Sequence, residues 1–341
     1  MVFDRPTDAT ASSARKSIRQ ASGADLPNRE EPSMRVFVTG GTGFIGSAVV
    51  RELLGSGHEV VGLARSVEAA AALAAAGADA HRGDLDDFAS LRNGAAASDG
   101  VIHTAFNNIG ETTDFAASTR IDREAIEAIG EALAGSGRPF VITSGTGLLE
   151  PGKLATEDAA PDPASPAALR IPSEATALSF AEWGVRVSVL RLPPSVHGAG
   201  DHGFVPALIG IARATSVSGY PGDGANRWAT VHRLDAARLF RLALESAPAG
   251  ARLHGVGEKG VPVRVIAEVI GHRLELPVAS VAGEEVAGHF GWLTPFITLD
   301  APASSSATQH LLGWQPEQPG LIEDLDQDHY YAQPDAAAAA A

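Results

Sequence analysis

Residues 35–46 read Arg35-Val36-Phe37-Val38-Thr39-Gly40-Gly41-Thr42-Gly43-Phe44-Ile45-Gly46. A short run of β-branched and aromatic residues leads into a glycine-rich turn, and the apolar periodicity beyond it predicts a helix over 44–56. Gly40, Gly43 and Gly46 stand three residues apart. The first permits a tight turn, the second lets backbone approach a phosphate, and the third lets the helix pack against the strand. Unpaired N–H groups and the positive end of the helix dipole then face the pyrophosphate of a dinucleotide. A glycine pattern alone says little; a strand before it and a helix after it, inside one βαβ unit, give it meaning. Gly40, Thr42, Gly43, Phe44, Ile45 and Gly46 are therefore candidate cofactor-binding residues.

Beyond this turn, strand-like and helix-like segments alternate. Strands are expected at 35–39, 59–64, 78–82, 99–103, 139–143 and 186–191, each short and all but 78–82 containing Val, Ile or Phe. Helical patterns lie between them at 44–56, 67–76, 86–96, 114–134 and 172–183, with Gly57 and Gly77 where C-terminal caps belong. This rhythm predicts an α/β fold, a Rossmann-type doubly wound parallel sheet covered on both faces. After residue 192 the rhythm changes: loops rich in Gly, Pro, His and Asp (193–203, 216–228) mix with helices near 204–214, 233–246, 262–276 and 304–312. The expected division is a dinucleotide-binding domain over 34–192, then a mixed segment, 193–335, that completes the sheet and forms a smaller substrate lobe. Residues 1–33 are polar and lack a periodic apolar face, so disorder is expected there, with Met34 as an alternative start. The Ala run 336–341 carries no functional signal.

With 341 residues, 45% of them hydrophobic, the chain buries a substantial core. Its formal net charge of −15 disfavours nucleic acid or an anionic membrane as partner. No apolar run is long enough to cross a bilayer, and 1–33 lacks the apolar segment of a secretory signal, so a soluble cytoplasmic protein is expected. There is no Cys, which removes disulfides, thiolate metal sites and a thiol nucleophile. Lys occurs only at 16, 153 and 259, and Tyr only at 220, 330 and 331.

The end of the second strand bears on the choice of cofactor. An NAD site usually places Asp or Glu there to hold the ribose 2′-OH. Here the chain reads Leu63-Ala64-Arg65-Ser66, with no acid. Arg65 and Ser66 suit a 2′-phosphate, because a guanidinium matches phosphate geometry. NADP(H) is the expected cofactor, with NAD(H) as the alternative.

Taken in order, these residues resemble the short-chain dehydrogenase/reductase superfamily in its extended, atypical branch (epimerase/dehydratase-like), over about 34–330. The resemblance rests on Thr39–Gly46, Gly83-Asp84-Leu85, His103-Thr104-Ala105, Thr143-Ser144-Gly145, Arg191 to Gly198, Val231 to Asp235 and Leu312 to Pro316. It implies that Asp84 and Leu85 flank the adenine, that Thr104, Ala105 and Thr143 line the cofactor path, and that Pro193 lies near the nicotinamide ribose. It gives His103 and His232 no chemical role. Leu312–Pro316 is expected to end a helix and pack the second lobe as scaffold. A homodimer through 114–134 and 172–183 is a further implication.

The chain departs from that pattern at the catalytic pair. Members carry Tyr-x-x-x-Lys after the fifth strand, where Tyr moves the proton and Lys lowers the Tyr pKa. Here Arg170 falls at the Tyr position and Glu174 at the Lys position, and no Tyr in the chain has a Lys four residues later. A guanidinium does not donate a proton as Tyr does, but it stabilises a developing alkoxide. Glu174 is a candidate acceptor for ribose hydroxyls. The alternative is an Arg–Glu i,i+4 pair on the helix surface, worth about a few tenths of a kcal/mol. Pro172 prefers a first helical turn, which would put Arg170 just before the helix. Ser144 is a candidate hydroxyl donor to a substrate carbonyl, with Thr143 and Thr146 close by and Gly145 at the aligned position. His197 lies in the loop at the carboxyl edge of the sheet, where ligands bind, and imidazole is a common proton carrier. His197, Asp201 and His202 lack a fourth ligand, so no metal is expected. Tyr220, Asn226, Arg227, Trp228, His289, Phe290 and Trp292 either line a substrate pocket or close the small lobe's own core, the latter favoured for the two Trp.

The expected activity is an NAD(P)-dependent oxidoreductase on a small carbonyl or alcohol, with Ser144, Arg170, Glu174 and His197 as candidate catalytic residues. Two alternatives remain: a cofactor-binding sensor or regulator without catalysis, and an epimerase or dehydratase with resident nicotinamide.

Overall fold

The computed structural model describes residues 33–106 and 114–332. The expected disorder of 1–33, apart from Ser33, and the Ala tail lie outside the described residues. The first part of the chain alternates as its periodicity predicts. It runs β1 (Arg35–Thr39), α1 (Phe44–Gly55), β2 (Glu59–Ala64), α2 (Val67–Ala76), β3 (Asp79–Arg82), α3 (Phe88–Ala96), β4 (Gly100–His103), α4 (Phe115–Leu133) and β5 (Pro139–Gly145). A long connection with two 3₁₀ turns leads to α5 (Ile171–Ser179) and β6 (Arg186–Leu192). Side-chain caps start several helices: Ser66 Oγ accepts from Ala69 N at 3.1 Å, and Asp114 Oδ1 from Ala117 N at 2.8 Å. Such caps contribute about 1 kcal/mol each. Gly77 ends α2 at φ 91°, a left-handed cap that suits glycine. The helix expected over 172–183 stops at Ser179 and gives way to turns that reach Gly184.

Shorter elements follow: β7 (Ser195–His197), α6 (Phe204–Thr215), β8 (Ser218–Pro221), β9 (Arg227–His232), α7 (Arg233–Ser246), β10 (Ala251–His254), β11 (Glu258–Pro262), α8 (Val263–Leu274) and β12 (Val278–Val281). The short helices α9 (Glu285–Phe290), α10 (Thr294–Ile297), α11 (Ser306–Leu312) and α12 (Leu321–Leu325) complete the described chain. Sequence patterning anticipates α6, α7, α8 and α11 but none of β7 to β12.

Seven strands form one parallel sheet in the order β10-β6-β5-β4-β1-β2-β3. The order reverses between β1 and β4, which opens a crevice at their carboxyl ends. Two smaller sheets, β11-β9-β7 and β12-β8, lie in the C-terminal half. Helices α1, α2 and α7 cover one face of the large sheet, with Leu53, Leu73, Phe240 and Leu244 fully buried against Val36 and Val38. On the other face α3, α4 and α5 pack Leu91, Ile126, Ile129 and Ala177 against Phe37, Phe140 and Ile142. A third core, with Trp228, Ile266, Phe290, Leu293 and Leu325, belongs to the smaller lobe.

One expectation fails here. Leu312–Pro316 does end a helix, with Gly313 at φ 62°, but Trp314 joins the core under α7 and donates to Asp235 O at 3.0 Å. It pins this segment to the large sheet's helical layer, while Leu321 and Leu325 farther on join the third core.

Candidate active site

The glycine turn is closed by geometry that tolerates no side chain. Gly40 has φ 72°, and a Cβ there would sit 2.7 Å from Ala105 N. A Cβ on Gly46 would lie 2.0 Å from Gly40 O. Gly43 N donates to Gly40 O at 2.9 Å, which fixes the turn. Gly43 also caps α1 without any side-chain hydrogen bond, and the first turn of α1 holds no acid. The N–H groups of that turn therefore face the cleft for an anion. Thr104 Oγ1 donates to Thr39 O at 2.7 Å and ties β4 to β1 at the point where the strand order reverses.

A cleft of about 1420 Å³ runs from this turn across the carboxyl ends of the strands. Gly40, Thr42, Gly43, Phe44, Ile45 and Gly46 line it, as do Arg65, Asp84, Leu85, Thr104, Ala105, Thr143 and Pro193. Ser144 and Arg170 line the same cleft, whereas Ser66, Glu174 and His197 stand outside its lining. Ser66 is engaged as the cap of α2. Arg65 is exposed at the end of β2, and its guanidinium makes no hydrogen bond or ion pair with the described residues. The glycine cradle and the uncapped helix start fit the pyrophosphate of a dinucleotide.

Glu174 does not reach toward a ribose. Its carboxylate is buried and held bidentately by Arg191, with Nη2 to Oε1 at 2.5 Å and Nε to Oε2 at 3.1 Å. Ser144 Oγ also donates to Glu174 Oε2, at 2.9 Å. Sheet register explains the grouping: Ser144 on β5 pairs with Arg191 on β6, so both side chains reach the same face, where α5 brings Glu174. Arg191, fully buried, also donates to Ala159 O at 3.0 Å. The surface Arg170–Glu174 pair is therefore not formed.

Arg170 occupies the N-cap of α5, just before the helix, with Pro172 in the first turn. Its Nη2 donates to Thr143 O at 3.0 Å and lies 3.7 Å from Asp122 Oδ2. The guanidinium stacks on Phe106 at 4.2 Å. Behind it runs a buried chain: Asp122 Oδ1 meets His103 Nε2 at 3.2 Å, and His103 Nδ1 meets Thr39 Oγ1 at 2.8 Å. Thr39 and His103 are register partners on β1 and β4, so the strands themselves aim the imidazole at Asp122. Burial pushes the Asp122 carboxyl up, but the Arg170 guanidinium and the His103 hydrogen bond outweigh it and hold the group below the usual carboxylate range.

Neither hydroxyl that lines the reacting region is unengaged. Thr143 Oγ1 donates to His103 O at 2.8 Å, and the Ser144 proton lies on Glu174. His197 is buried on β7, with Nδ1 at 2.8 Å from Asp324 Oδ2 and its ring against His232. His232 caps α7 through Leu234 N. Among the described residues no group of His, Asp or Glu is arranged to hold a metal. The loop after β7 does contribute Asp201 and His202 to the cleft wall, beside Tyr330. Tyr330 OH donates to Asp201 Oδ2 at 3.1 Å, and burial pushes the Asp201 carboxyl up to about 6.

Of the aromatic candidates in the second half, only Trp292 lines the cleft. Trp228 is fully buried and donates to Phe296 O; Phe290 is core; Arg227 is paired with Asp300 through two hydrogen bonds; Asn226 holds Ile297 O; Tyr220 stacks under Arg264. The wall is completed by Phe106, Phe115, Phe204 and Phe296, which sequence reading does not single out. Asp122 is not singled out there either, and Arg191 enters only as the start of a motif with no role; the meaning of this helix acid and strand arginine depends on partners 17 or more residues away.

The profile of the NAD dependent epimerase/dehydratase family matches residues 36–254. An uncharacterized protein of Schizosaccharomyces pombe is 51% identical over 300 residues, 87% of this chain and 100% of its own length. A Stigmatella aurantiaca protein, 4-hydroxy-2-methyl-3-oxo-4-farnesyl-3,4-dihydroquinoline-1-oxide ketoreductase, is 30% identical over 64% of this chain and 66% of its own. Among solved structures, dTDP-glucose 4,6-dehydratase from Streptomyces venezuelae superposes with a TM-score of 0.71 at 24% identity, covering 87% of this chain and 97% of that one. That last likeness bears on the fold alone.

Proposed function

The chain belongs to the NAD dependent epimerase/dehydratase family, and we propose that within it this protein is an NADP(H)-preferring oxidoreductase that acts on a carbonyl or alcohol at Arg170. The observation that carries this reading is that Arg170 lines the same cleft as the glycine cradle, at the place where the family's tyrosine is absent. The ketoreductase relative supports a carbonyl substrate by similarity. When bound, the nicotinamide supplies or accepts the hydride. Arg170 places fixed positive charge where an alkoxide develops, and Asp122, oriented by His103, keeps that guanidinium in place. With Thr143 Oγ1 and Ser144 Oγ donating to His103 O and Glu174, and His197 outside the cleft, we assign the proton to water in the cleft that Asp201 and His202 line.

Calorimetric titration with NADPH and NADH in parallel, followed by turnover on carbonyl and alcohol panels, tests the reading. The expected result is NADPH bound more tightly than NADH, with slow reduction of a carbonyl. Tight cofactor binding with no turnover on any panel rejects the enzyme and favours a cofactor-binding regulator, a second reading that the engaged hydroxyls also support. Cofactor that copurifies and is never consumed favours epimerisation or dehydration.

A further inference from the structure

The cleft has two unlike ends beyond the cofactor cradle. At one end Phe204, which opens α6, gathers Trp292 and Phe296 at ring distances of 6.0 and 5.0 Å. Trp292 is 47% exposed, yet it faces this cleft and not the lobe's core. Leu148 and Leu299 continue the apolar wall. Such a shelf suits an apolar body and offers little to a sugar or a diphosphate. At the other end stands Arg170. Its Nε is buried without a hydrogen-bond partner among the described residues, and Asp122 Oδ2, 3.7 Å from its Nη2, has none among them either. The guanidinium is held in place by Thr143 O and Phe106, lines the cleft, and has no carboxylate within hydrogen-bond distance among the described residues. A planar pair of oxygens completes it.

Resting on the oxidoreductase reading, we propose that the substrate is a 2-oxo acid with an apolar body. Its adjacent carbonyl and carboxylate oxygens meet Arg170, and its body lies on the Phe204–Trp292–Phe296 shelf. In the reduction, hydride from the reduced nicotinamide bonds to the carbonyl carbon. The C=O π pair moves to oxygen and takes a proton from water, leaving a 2-hydroxy acid and oxidised cofactor.

Binding is separated from turnover by loading the full chain with NADP⁺, which cannot reduce an oxo acid. Benzoylformate, pyruvate, 1-phenylpropane-1,2-dione and UDP-glucose are then titrated calorimetrically. The proposal expects benzoylformate to bind roughly tenfold or more tighter than pyruvate, which lacks the body, and than the dione, which lacks the carboxylate. Arg170→Gln removes the advantage over the dione. Trp292→Ala, at a half-exposed position, removes the advantage over pyruvate and leaves NADP⁺ affinity unchanged. Equal affinity for benzoylformate and the dione, preference for UDP-glucose, or silence of all four ligands overturns the proposal. The expected binding pattern without NADPH oxidation upholds this ligand class and overturns the oxidoreductase reading instead.

Discussion

At the scale of the residue, the loss of the family's Tyr and Lys is accompanied by a change in what their positions do. Glu174, at the Lys position, has become half of a buried ion pair with Arg191. A pair of this kind is weak evidence for net stability, but breaking it leaves an uncompensated buried charge. Arg191→Met is expected to destabilise by about 3–5 kcal/mol, and adding Glu174→Leu to it to recover most of that loss. Urea melts of the single and double variants check this, and equal losses in both would show that the pair does not act as a unit. Asp201 gives a pH dependence of definite sign. Burial raises its carboxyl to about 6, so the folded state holds the proton more tightly than the unfolded chain does. The stability this contributes is complete below the ordinary carboxylate pKa and is lost as pH rises through about 6. Asp201→Asn, neutral throughout, is therefore expected to gain in melting temperature relative to the native protein between about pH 4 and 6, with a constant difference above that. Parallel curves would reject the assignment.

At the scale of the element, the long segments with strong periodicity were legible and the short ones were not. β1, β2 and β4 to β6 are mostly buried and carry their own apolar signal, whereas β3 is an exposed edge strand placed by the alternating rhythm around it. β10 has four residues, Ala-Arg-Leu-His, and is a strand only because β6 offers it an unpaired edge. β7, with three residues, exists through its pairing with β9. The β2–α2 junction carries the proposed NADP(H) preference: Arg65 follows the strand, and Ser66 caps the helix instead of reaching outward. Arg65→Ala is expected to weaken NADPH by about tenfold and to leave NADH nearly unchanged. Parallel titrations decide it; equal losses for both cofactors would place Arg65 elsewhere in recognition.

At the scale of the whole molecule, two cores sandwich the large sheet and a third closes the smaller lobe, with the cleft lined from both halves of the sequence. NADPH at a hundred times its dissociation constant is expected to stabilise the fold by about 2.7 kcal/mol, seen as a rise in melting temperature that NADH at the same concentration does not match. An unchanged melting temperature with both would reject the cleft as their site. Among the described residues no helix is long and apolar enough to cross a membrane. The sequence by itself determined the α/β architecture and the glycine cradle, because strand, turn and helix signals are local and Gly40 and Gly46 are required by contacts within a single βα unit and its neighbouring strand. It also showed that no Tyr has a Lys four residues later, since that is a matter of residue identity alone. Only the tertiary structure decided what stands in place of that pair. Arg191 sits 17 residues from Glu174, Asp122 sits 48 residues before Arg170 and 19 after His103, and Phe204 and Trp292 come from different elements. Their roles depend on strand register and on helix packing across the sheet, and no local pattern in the chain encodes which distant side chain will stand opposite.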